Sequence, residues 1–159
     1  MRRLLLILLL LFLIMFTVCR AESFPKAKEV ENKISSALVH LKNSETGEGI
    51  QSILDAVLLI APHSNFPKEL ETNISQARAH LTNGFPNAEA HRLIRKTYGL
   101  IEPGFDKSAP GKHKQVEPSN IPPIAEIIKT KMLTAREELK YGNADKVVRS
   151  LLECLLVIT

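Results

Sequence analysis

Tryptophan is absent from this 159-residue chain, aromatic side chains make up only 5% of it, and it holds two cysteines. Each shortage excludes something. Strands draw on β-branched and aromatic residues, so few aromatics beside abundant Leu, Ile and Ala argue for helices packed on helices rather than sheet. Two cysteines, one of them beside the N-terminal apolar run, leave no disulfide framework. Catalytic signatures are missing too. There is no Gly-x-Ser-x-Gly, no Gly-x-Gly-x-x-Gly and no phosphate loop. Without Cys-x-x-Cys-His, covalent attachment of a c-type haem is excluded.

A long apolar run is also lacking. Leu4 to Val18 spans fifteen residues, whereas a membrane-spanning helix needs about 20. This run follows Met1-Arg2-Arg3 and precedes Cys19-Arg20-Ala21. A basic start, a short apolar stretch and a small-residue exit predict a secretory signal peptide over 1–21, cut after Ala21. Cys19 and Ala21 are then the small residues three and one before the cut. Two alternatives stand beside it. An uncleaved N-terminal segment would hold the chain at a membrane. A bacterial lipoprotein would be cut before Cys19 and lipidated there; that signal wants a small residue and an upstream leucine where this chain has Val18 and Phe16.

The formal charge of +4 owes much to the leader. Arg2, Arg3 and Arg20 lie in it and no acidic residue does, so the remaining 138 residues carry +1. That length suits one domain with a real core. A near-neutral surface offers no electrostatic reason to bind nucleic acid, and nothing ties the cleaved product to a membrane. Cys154 is then the one thiol. It sits in the apolar stretch Leu151-Leu152-Glu153-Cys154-Leu155-Leu156 and reads as a small buried hydrophobe.

What is present is helical periodicity. Ile34, Ala37, Leu38 and Leu41 share one face, as do Ile50, Ile53, Leu54 and Val57. The same spacing recurs at Ile74, Ala77 and Leu81; at Ala90, Leu93, Ile94, Thr97 and Ile101; at Ile124, Ile127, Ile128, Met132, Ala135 and Leu139; and at Val148, Leu151, Leu152 and Leu155. Prolines 25, 67, 86, 122 and 123 precede these segments, where a missing N–H costs nothing. Asn83-Gly84 and Gly142-Asn143 mark turns. The expected fold is all-α: three consecutive αα-hairpins, about six helices, over roughly 26–61, 67–101 and 122–158. They form a bundle or a short hairpin-repeat array. Residues 102–121, rich in Pro and Gly, read as a linker.

The hairpins match one another. Residues 34–60 align without a gap to 132–158, pairing Ile34 with Met132, Ala37 with Ala135, Leu41 with Leu139, Ser44 with Gly142, Ile50 with Val148 and Asp55 with Glu153. The middle hairpin fits with one extra residue near its turn. The Ala-x-x-x-Leu-x-x-Gly run at Ala135–Gly142 resembles tetratricopeptide-type helical hairpins. Units spaced by 40 and 58 residues, rather than about 34, and the absence of that family's aromatic and proline signature set the chain apart from it.

Candidate sites are few. His40 and His80 hold the same place in hairpins one and two, just before the repeat leucine, and His91 lies across a short turn from His80. Two imidazoles and a carboxylate are a ligand set for zinc, copper or haem, although all three histidines fall at the edge of an apolar stripe. Cys154 has no base at helical spacing to activate it. Asn73-Ile74-Ser75 matches the glycosylation sequon but lies in a predicted helix with Ile74 in the core, and is assigned no role. The chain stops on Leu155-Leu156-Val157-Ile158-Thr159. Four adjacent apolar residues exceed one stripe, so this helix is either buried on several sides or offers a face to a second copy. The expectation is an exported, non-enzymatic helical module without cofactor, binding a protein or peptide partner and able to homodimerise through its C-terminal helix. The alternative is a periplasmic metal- or haem-binding bundle using His40, His80 and His91.

Overall fold

A computed structural model describes residues 25–82, 87–102 and 123–159. The expected signal peptide with Cys19 and Ala21, the Asn83-Gly84 turn and all of the expected linker but Glu102 lie outside the described residues. Within them all regular structure is helical: α1 Ala27–Lys42, α2 Thr46–Ile60, a 3-10 turn Ala61–His63, α3 Glu69–Leu81, α4 Ala88–Ile101, α5 Ile124–Lys140 and α6 Ala144–Ile158. The six α-helices fall inside the three segments that periodicity marked, while the 3-10 turn runs two residues past the first.

Two turns show how sequence stops a helix. After α1 the chain enters the left-handed region at Ser44 (φ 65°), and after α5 it does so at Gly142 (φ 71°). The Glu45 N–H donates to the His40 carbonyl (2.8 Å) and the Ser44 N–H to that of Leu41 (3.2 Å). After α5, the Asn143 N–H donates to Glu138 (3.1 Å) and the Gly142 N–H to Leu139 (3.2 Å). Both are Schellman caps, which satisfy helix carbonyls that would otherwise lack partners. The side chains across each cap also pair, His40 with Glu45 and Glu138 with Asn143. α4 begins differently: the Asn87 side chain accepts from the N–H groups of Glu89 and Ala90, and its amide donates to the His80 carbonyl at the end of α3. One residue thus caps two helices.

The helices stack in three layers. α2 packs on α1, α3 and α6; α6 packs on α5, α2 and α4; α1 meets α5, and α3 meets α4. The pair α2 and α6 is therefore a middle layer, with α1 and α5 on one face and α3 and α4 on the other. Burial follows this order. Eight of fifteen residues are buried in α2, and likewise in α6, against three in α1 and three in α5. Ile34 and Ala37 of α1, and Met132, Ala135 and Leu139 of α5, form single buried stripes. In α6, Leu151, Leu152, Cys154 and Leu155 are all fully buried. Each Leu so placed contributes about 1.5–3 kcal/mol from apolar burial, which is why α6 tolerates so little polarity. Gly49 of α2 packs tightly on α1, where a Cβ would lie 2.7 Å from Leu41 Cγ and Cδ2.

Side-chain pairs fix the directions. α4 and α6 run antiparallel, since Tyr98 meets Glu153 and Glu102 meets Arg149. α5 and α6 are also antiparallel, since Lys131 meets Glu153 and Lys146 meets Glu138. α4 and α5 are thus parallel. Helices that reverse direction need only the three-residue turns at 43–45 and 141–143. The end of α4 lies beside Arg149 of α6, whereas α5 meets α6 farther along, at Cys154 through Ile128 and at Glu153 through Lys131. The long proline-rich stretch joins α4 to α5.

Candidate functional site

The three histidines lie on three different helices, α1, α3 and α4. His40 Nδ1 lies 2.7 Å from Glu45 Oε2 at the cap of α1. His80 is at the end of α3, with its carbonyl held by Asn87. His91 stands on α4, where partial burial and the nearby Arg95 cation push its pKa down. Among the described residues no three His, Cys, Asp or Glu side chains are grouped as a metal ion would require.

The charged groups that do come together lie on the flanks of the middle layer. Asp55 of α2 receives Lys33 of α1 (2.7 Å) and Arg78 of α3. Glu153 of α6 receives Lys131 of α5, and the Tyr98 hydroxyl of α4 donates to it at 3.3 Å. Each carboxylate thus ties a middle helix to both outer layers. The two occupy matched places: the alignment that pairs Ile34 with Met132 and Asp55 with Glu153 also pairs Lys33 with Lys131. Extending that alignment one residue upstream of Ile34 exposes the charge pattern in the sequence; the apolar stripe alone does not. Beside Glu153, Arg149 reaches Glu102 and the Ile101 carbonyl. Burial first, then the Glu153 and Glu102 charges, push the Tyr98 hydroxyl up to about 12. It is therefore a hydrogen-bond donor at neutral pH and no base. These groups are consumed in holding helices together.

Cys154 is the free thiol among the described residues, and it is fully buried. Burial, with help from Glu153 and against Lys131, pushes it up to about 12, and its sulfur contacts the Ile128 carbonyl at 3.7 Å. A nucleophile must present a thiolate, and this one does not. Asn73 is 4% exposed in the middle of α3, and its amide nitrogen is the buried side-chain atom without a hydrogen-bond partner among the described residues. That nitrogen is the atom a glycan would occupy, so the sequon is closed while α3 is folded.

The surface offers a different signal. The large apolar side chains left exposed among the described residues are Val39 (57%), Ile124 (62%), Leu133 (48%) and Tyr141 (61%). Val39 is on α1, Ile124 and Leu133 are on α5, and Tyr141 ends α5. All four therefore belong to one outer layer. Of the terminal apolar residues of α6, Leu155 is buried, and Leu156, Val157 and Ile158 are part-buried, Leu156 and Ile158 packing against the core. Among the described residues no helix is long and apolar enough to cross a membrane. No family model, no curated protein and no solved structure matches this chain.

Proposed function

We propose that this chain is an exported, non-enzymatic interaction module built from three αα-hairpin repeats, and that a protein or peptide partner docks on its α1–α5 layer. The observation that carries this reading is where polarity and apolarity are spent. The part-buried carboxylates Asp55 and Glu153 are engaged in interhelix pairs, and the thiol is sealed. Among the described residues the large exposed apolar side chains all lie on the α1–α5 layer. Apolar side chains gathered into a contiguous exposed patch mark contact sites. The matched caps at Ser44 and Gly142 and the matched pairs Lys33–Asp55 and Lys131–Glu153 support the repeat.

Export is tested by sequencing the N-terminus of the protein recovered outside the cytoplasm, which should begin at Glu22. An N-terminus at Met1, or a lipid on Cys19, contradicts it. Docking is tested by co-purification from the producing cells, comparing the wild type with a Val39→Glu, Leu133→Glu double variant. Both positions are exposed, so the variant keeps its circular dichroism. A protein held by the wild type and lost from the variant supports the reading; one retained by both moves the contact elsewhere. A second copy of the chain is one possible partner, and sedimentation of the same two proteins reports it.

A further inference from the structure

We draw no further inference here: the strongest candidate, the exposed apolar side chains Val39, Leu133 and Tyr141 on the outer α1–α5 layer, belongs to the surface already described and nothing in the structure shows what covers it.

Discussion

Ser44 and Gly142 occupy the same left-handed position of two Schellman caps, with φ of 65° and 71°, but only one of them is glycine. A side chain with a Cβ costs about 1–2 kcal/mol in this region. Glycine avoids that cost but gives the unfolded chain more freedom, which offsets about 0.4–1 kcal/mol. Ser44→Gly should therefore stabilise the protein by about 0.5–1 kcal/mol, and Gly142→Ala should destabilise it by about the same. Ser44 is exposed, so its hydroxyl is dispensable to packing. Glu31, early in α1, meets Arg136, late in α5, and Asn65, just after α2, meets Asp145 at the start of α6, so α1 and α5 run antiparallel and the two caps lie at opposite ends of the bundle. Their effects should then add, and the double variant should return close to the wild type. Urea unfolding followed by circular dichroism at 222 nm measures this directly, with an unchanged m-value required for the comparison. For a domain of this length, 1 kcal/mol corresponds to about 3 °C in Tm. A Ser44→Gly midpoint at or below that of the wild type, with m unchanged, would refute the cap geometry and its equivalence to the second turn.

Four further outcomes follow from the interior. Cys154 should resist thiol reagents in the native protein and react fully in denaturant; rapid native labelling would contradict its burial. Because Cys154 and Tyr98 have raised pKa values when folded, they contribute stability that is intact below their unfolded values near 9 and 10 and is lost as pH rises toward about 12. Stability should accordingly fall across that alkaline range, and a Cys154→Ala, Tyr98→Phe double variant should flatten the slope. Asn73→Leu, which removes a buried donor without a partner, should raise stability by about 1–2 kcal/mol; a lower melting temperature would mean that the amide is satisfied in solution. Finally, cutting a protease site placed between residues 103 and 122 should leave the two pieces together on gel filtration, since α6 buries eight residues among its neighbours. Separation at micromolar concentration would show that this packing is weak.

Much of the fold was legible in the sequence because an amphipathic helix advertises its buried face. Ile34, Ala37, Met132, Ala135 and Leu139 were marked by spacing alone, and all are buried. The caps were half legible: Gly142 announces a turn, whereas Ser44 adopts the same conformation with no residue signal and was identified only by its alignment to that glycine. The layer order was not legible. Whether the third hairpin joins the first two depends on complementarity between faces far apart in the chain, which periodicity within a helix does not encode. The apolar run of α6 left both burial and self-association open; packing on α2, α4 and α5 buries Leu151, Leu152, Cys154 and Leu155. The histidines drew attention by chemistry and matched positions, yet each ended at a cap or a rim. The informative polar residues were Lys33, Asp55, Lys131 and Glu153, whose meaning appears only when two hairpins are read side by side.

The claim on which the account rests is that α2 and α6 form a middle layer sealed on both faces, leaving contact with a partner to the α1–α5 surface. Native-state hydrogen exchange of the full chain tests this most directly. The account predicts that the amides of α2 and α6 exchange slowest and together, through global unfolding, while those of α1 and α5 open earlier. Exchange of α6 at the rate of α5, or its release well before α2, would contradict the layered bundle and the reading of function built on it.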